Sequence, residues 1–216
     1  MIEISPAILT NDKTEFTRLL GAYADAGFHS IDIDIADGEF VPHATLALKE
    51  VIDQTSDFPQ INFGWHLMLG EPEAEVEHII KFYQKSAKPF RIYIHQEAKT
   101  AFLKDLDLVA HNIAVAVKDE TDLRELGYYN KFPEVQPMTV ISGSQGGRFE
   151  SGAITKVAEL RDAGYVGKIS LDGGVNLNTA RHIREYDLNR VSVGSYFQES
   201  TDLDLDWHKL NLALNL

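Results

Sequence analysis

Two aspartates, Asp32 and Asp34, stand two residues apart in the short apolar run Ser30–Ile35. In extended chain that spacing projects both side chains to one face. A second run, Asn62–Met68, ends with His66 and Met68, and a third, Lys168–Leu171, leads into Asp172. Three carboxylates and an imidazole brought together would be unstable unless something positive sat among them. A divalent cation or a shared proton is the physical resolution. Oxygen-rich donors with one nitrogen suit Zn, Mn, Fe or Co, and the residues alone do not choose among these metals. Taken singly, an Asp after a strand has a plainer use as the N-cap of the next helix. Taken together, the four groups are poorly explained as caps.

Glycines mark a second kind of chemistry. Gly173-Gly174 and Gly194-Ser195 follow the last two apolar runs, and Gly143, Ser144, Gln145, Gly146 and Gly147 follow the sixth. Without a Cβ, backbone amides can approach an anion closely, so these loops predict a phosphate site rather than simple turns. The formal net charge of -13 opposes an anionic ligand at long range. Any phosphate must therefore be held locally, by backbone N–H groups.

The elements that carry these groups alternate regularly. Strands are predicted over Glu3–Leu9, Ser30–Ile35, Asn62–Met68, Arg91–His95, Ile113–Val117, Glu134–Val140, Lys168–Leu171 and Arg190–Val193. They are the short, β-branched runs expected of parallel strands buried on both faces. Helical stripes fall between them, at Lys13–Ala26, Glu73–Lys85 and Ala153–Ala163, with a shorter one at Leu205–Leu214. Pro72 marks a helix start and Gly164 a helix end. The stretch from Asp25 and that from Asp162 form a faint half-repeat: helix end, Gly turn, strand, then Asp. Eight strands without a Ser/Pro-rich linker predict one α/β domain over residues 1–216, either a closed (β/α)₈ barrel or a doubly wound open sheet. In a barrel the strands' C-terminal ends build the site, and the loops after strands seven and eight often hold phosphate. His95 and Glu97, at the end of the fourth strand, should face the same mouth, hydrogen-bonded or in support of the ligands. Trp65 should point away from it, into the core.

Composition narrows the function further. The chain is 44% hydrophobic and 25% charged, as in ordinary globular proteins, and has no Lys/Arg block to neutralise nucleic-acid phosphates or an anionic membrane. It has no cysteine, which excludes thiolate chemistry and disulfides. The N-terminus enters a strand pattern at once and lacks the apolar stretch of a signal peptide, so a cytoplasmic protein is expected.

The segments ISPAIL, DIDIADGEFVP, HLMLGEP, IHQEA, MTV with GSQGGRF, LDGGV and VGSYF occur in an order and at intervals that resemble the ribulose-phosphate 3-epimerase family. The likeness runs from Ile4 to Phe197, and its most specific parts are Asp37–Pro42 and His66–Met68. It implies a closed (β/α)₈ barrel, and an enzyme that inverts C3 of a ketopentose phosphate such as ribulose 5-phosphate through an enediolate. Two carboxylates on opposite faces would exchange the C3 proton, beside a divalent metal. By the same resemblance Asp34 and Asp172 are the catalytic pair and His66 a ligand. Gly143, Gly146, Gly173, Gly174, Gly194 and Ser195 fall in the phosphate loops, with Ser144 and Gln145 between the first two. Self-association into a homo-oligomer is also implied.

Departures cluster around one centre. The family's metal-binding His is Asp32 here, a substrate-contacting Ser is Ala7, and a Met lining the site is Ala36. The expected metal ligands are thus Asp32, Asp34, His66 and Asp172. Both acid/base positions remain Asp, which favours an epimerase acting on a ketopentose or ketohexose phosphate. The substitutions instead favour a sugar-phosphate-binding relative with little or no turnover. A phosphosugar lyase would need a strand-end lysine, to which Lys118 comes nearest.

Overall fold

The computed structural model describes residues 1–84, 88–139, 149 and 151–216. Eight parallel strands close on themselves in chain order, so the barrel, and not the open sheet, is the fold. The strands are β1 (Glu3–Ile8), β2 (Ser30–Ala36), β3 (Asn62–Met68), β4 (Phe90–His95), β5 (Ile113–Val117), β6 (Glu134–Pro137), β7 (Lys168–Asp172) and β8 (Arg190–Val193). Closure is made by β1 against β8, in register from Glu3 opposite Arg190 to Pro6 opposite Val193. The predicted strands match to within a residue except at β6, whose expected end at Val140 lies outside the described residues.

The longer helices are α1 (Lys13–Asp25), α3 (Glu73–Gln84), α5 (Ser151–Asp162) and α8 (Leu203–Asn215). Shorter ones are α2 (Leu48–Val51), α4 (Leu126–Tyr129), α6 (Leu177–Ile183) and α7 (Ser195–Gln198), with 3₁₀ turns at Ile52–Asp57 and Ala101–Asp105. Asp12 caps α1, its Oδ1 accepting from the Thr14 and Glu15 amides at 2.7 and 3.0 Å. The half-repeat is structural. Gly27 and Gly164 end α1 and α5 with φ of 79° and 95°, a conformation that glycine adopts without strain, and each feeds a strand whose C-terminal half carries an Asp.

Alternation sorts the strand residues into two environments. One set, including Ile31, Ile33, Trp65, Ile92, Val115, Ile169 and Val191, joins Phe16, Leu20, Val76, Ile79 and Ile154 of the helices in a continuous apolar layer around the barrel. Trp65 is fully buried there, its indole N–H donating to the Tyr83 hydroxyl at 3.3 Å. The other set fills the barrel, and much of it is polar: Ser5, Asp32, Asp34, His66, His95, Glu134, Gln136, Ser170, Asp172, Arg190 and Ser192 are all buried. Beside them lie two small apolar clusters, Tyr93, Ala114, Ala116 and Met138, and Ala36, Val41 and Met68. Branched aliphatic residues usually dominate such an interior. Here charge must be balanced within it, pair by pair.

Among the described residues no helix is long and apolar enough to cross a membrane.

Candidate active site

Asp34 on β2, His66 on β3 and Asp172 on β7 meet at the C-terminal end of the barrel. Register sets Asp34 directly opposite His66. His66 Nδ1 lies 3.2 Å from Asp34 Oδ1 and 3.1 Å from Asp172 Oδ2, and all three side chains are buried. One donor atom from each falls within 4.8 Å of the others. Asp172 is held by its own backbone. The Thr139 amide and hydroxyl both donate to its carbonyl, at 2.8 and 3.0 Å, which ties the end of β7 to the residues after β6.

Asp32, expected as a fourth ligand, does not join this cluster. It sits two residues, about 7 Å, closer to the N-terminal end of the barrel. There its Oδ1 accepts from Arg190 Nη2 at 2.6 Å, with both side chains about 2% exposed. The space for this pair is made by Gly64, the register partner of Asp32. A Cβ on Gly64 would come within 2.0 Å of Asp32 Oδ1. Arg190 also donates to the Tyr93 hydroxyl at 2.7 Å. Tyr93 donates to Glu134 at 2.8 Å, and Glu134 pairs with Arg91 at 3.1 Å. Arg190, Tyr93, Glu134 and Arg91 are not among the residues singled out from the sequence, and Arg190 is the one that reaches Asp32. Its signal was available, because it shares the inward alternation of Ser192 on a strand already identified.

His95 approaches the cluster from β4. Its Nε2 lies 2.9 Å from His66 Nε2, and its Nδ1 lies 3.4 Å from Glu97 Oε2. Phe40, from the loop after β2, packs on the His95 ring with centroids 5.1 Å apart. Lys118 Nζ sits 3.8 Å above Phe40 and donates to its carbonyl. That lysine therefore holds the loop, and the lyase reading loses its best candidate.

Burial pushes the Asp34 carboxyl up, to about 6, with Asp172 and Asp32 adding to the rise and His66 opposing it. For His66, burial works against the imidazolium, but hydrogen bonds to Asp172 and Asp34 and their charges outweigh it, and its pKa is pushed up to about 10. Burial pushes His95 down, to about 4, despite Glu97. In the metal-free protein the positive charge among the carboxylates is thus carried by His66. Two carboxylates facing one imidazole nitrogen in a buried site are also a fitting donor set for a divalent cation. Such a cation would replace the Nδ1 proton. Binding at neutral pH is therefore expected to release about one proton, and affinity to rise about tenfold per pH unit until His66 deprotonates on its own. Calorimetry of Mn²⁺ or Zn²⁺ binding in buffers of different ionisation enthalpy reads that proton directly. Heats independent of buffer would contradict a protonated His66.

The glycine loops are partly in view. Gly143, Ser144, Gln145 and Gly146 lie outside the described residues. Gly173 and Gly174 both have positive φ, 107° and 63°, and turn the chain from β7 toward α6, which Asn176 caps. Gly194 precedes α7, whose first residue is Ser195. These loops follow β7 and β8, beside Asp172. Ala7 and Ala36, the small residues at two departures, are buried, and Ala7 lies in register with Asp32.

A model of the ribulose-phosphate 3 epimerase family matches residues 3–198. A ribulose-phosphate 3-epimerase of Eremothecium gossypii is 31% identical over 89% of this chain and 84% of its own. One from Bacillus subtilis is 27% identical over 94% of each. Among solved structures, 3-hexulose-6-phosphate synthase from Salmonella typhimurium superposes with a TM-score of 0.70, at 11% identity over 99% of this chain and 98% of that one. At that identity the likeness extends to the fold.

Proposed function

The chain belongs to the ribulose-phosphate 3-epimerase family, and from that membership we propose that it inverts C3 of a ketopentose phosphate such as ribulose 5-phosphate, or of a ketohexose phosphate. The observation that carries the reading is the buried meeting of Asp34 and Asp172 across His66. Epimerisation needs one base to remove the C3 proton and an acid on the other face to return one. Two carboxylates in one closed site supply both, and they exchange roles when the reaction runs backward. Burial raises the Asp34 pKa in the metal-free site, which makes its carboxylate a stronger base toward the C3 proton.

A divalent ion held by Asp34, His66 and Asp172 would supply Lewis-acid stabilisation of the negative oxygens of the C2–C3 enediolate. Asp32 contributes through Arg190. Its charge is balanced there, so the ligand set stays at two anions and a neutral imidazole, which a divalent ion neutralises. Gly173, Gly174, Gly194 and Ser195, with the Gly143–Gly146 loop, would hold the substrate phosphate by backbone amides. Ala7 and Ala36 carry less side chain than the Ser and Met implied by the family resemblance, which is why a ketohexose phosphate stands next to the ketopentose.

The test is solvent exchange. The protein is incubated in D₂O with Mn²⁺, Zn²⁺, Co²⁺ or Fe²⁺ and each ketose phosphate, and the C3 proton is followed by NMR. Loss of that signal with appearance of the 3-epimer is the expected result. Phosphosugar binding without exchange, under every metal, would instead make the chain a binding relative without turnover.

A further inference from the structure

The structure assigns a role to His95 and Glu97 that rests on the metal reading of the site. We infer that they are positioning residues that hold the proton of His66 on Nε2 and so keep its Nδ1 lone pair for the cation. The chain of contacts leaves little choice of tautomer. Glu97 is fixed first, its Oε1 accepting the Lys118 backbone N–H at 3.1 Å. Its other oxygen, Oε2, then lies 3.4 Å from His95 Nδ1. Both of these atoms are buried, and among the described residues neither has a hydrogen-bond partner of better geometry. A bare imidazole lone pair facing a carboxylate oxygen would be repulsive, so the His95 proton belongs on Nδ1. His95 Nε2 is then an acceptor, and its neighbour at 2.9 Å, His66 Nε2, must donate.

The opposite arrangement, with His95 donating and His66 protonated only on Nδ1, places a proton where the cation must sit. Glu97 excludes it from 3.4 Å away on the far side of the His95 ring. Phe40 covers that ring, and the rings of His66 and His95 lie end to end within 23° of coplanar, centroids 5.0 Å apart, so neither imidazole can turn freely to escape the choice. Ligating histidines commonly give their second N–H to an acceptor, and losing that acceptor costs roughly 10- to 100-fold in metal affinity. Here the acceptor is a second histidine, whose own polarity is set by a carboxylate.

The experiment is long-range ¹H–¹⁵N NMR on the zinc-loaded protein, with zinc affinity measured on the same samples. The wild type should show His66 protonated at Nε2 and ligating through Nδ1, and His95 protonated at Nδ1. His95→Phe should lose the protected Nε2 proton and bind zinc roughly 10- to 100-fold more weakly, with its thermal transition still cooperative. His95→Gln, whose side-chain oxygen can accept from His66, should recover most of the affinity. Should His95→Phe fail to fold, the wild-type tautomers alone decide. Ligation through His66 Nε2, or unchanged affinity in His95→Phe, overturns the assignment while leaving the metal reading intact. Failure of the wild type to bind any divalent metal would remove the metal reading, and this one with it.

Discussion

Asp34→Asn and Asp172→Asn, made singly, are each expected to lower interconversion of the two epimers by about 10²- to 10⁴-fold, the usual contribution of one general acid or base. The two variants should nonetheless differ in a way no general loss of structure would imitate. Each keeps one carboxylate, which on the proposed mechanism would face only one of the two C3 epimers. Asp34→Asn should therefore still wash deuterium into the epimer whose proton points at Asp172, and Asp172→Asn into the other. The double variant should exchange neither. NMR in D₂O, started separately from each epimer, reads all four combinations. Metal content measured alongside separates loss of a base from loss of a ligand, because both Asp residues belong to the buried donor set. Equal residual exchange from both epimers in either single variant would rule out the assignment of one carboxylate per face.

Arg190→Met is expected to be the most damaging substitution for stability. Arg190 is buried and neutralises Asp32 at 2.6 Å. The second oxygen, Asp32 Oδ2, already lacks a hydrogen-bond partner among the described residues. Removing the guanidinium strands a buried carboxylate beneath two others, at a cost of about 3–5 kcal/mol. For a chain of this size that is a fall in Tm of roughly 10 °C. Asp32→Asn in the same background should restore most of the loss, because the stranded charge goes with it. Urea unfolding of the two single variants and the double variant gives the coupling. Simple additivity would show that Asp32 finds its compensation elsewhere.

Much of this architecture was legible in the sequence. The eight runs were readable because strands buried on both faces have no polar alternation to break their apolar pattern, as in Ile113–Val117. Once the strands were placed, period two put Asp34, His66, His95 and Asp172 on the inner face, where the structure has them. The short helices after β2, β5, β7 and β8 were not located, since helices of one or two turns such as Leu126–Tyr129 have almost no stripe to detect. Asp32 was misjudged for a different reason. Its partner lies 158 positions away, and strand pattern alone says which residues face inward but not which of them will touch. The meeting of His66 with His95 was open in the same sense. Both were seen to face the mouth, yet a nitrogen-to-nitrogen distance of 2.9 Å depends on the stagger of β3 against β4.

The Asp32–Arg190 pair also governs how this chain can change by descent. Exchanging Arg190 alone strands the Asp32 charge in the barrel, exchanging Asp32 alone takes the 2.6 Å ion pair from Arg190, and Gly64 admits no side chain while Asp32 lies against it. The three positions are therefore expected to change together, a charge-paired barrel floor giving way to another donor at position 32 through correlated replacement. Among relatives, an acidic residue at the place of Asp32 should be accompanied by a cation at the place of Arg190 and by glycine at the place of Gly64. Chains lacking one should lack the others, which makes a three-column covariation the historical trace of a single buried contact.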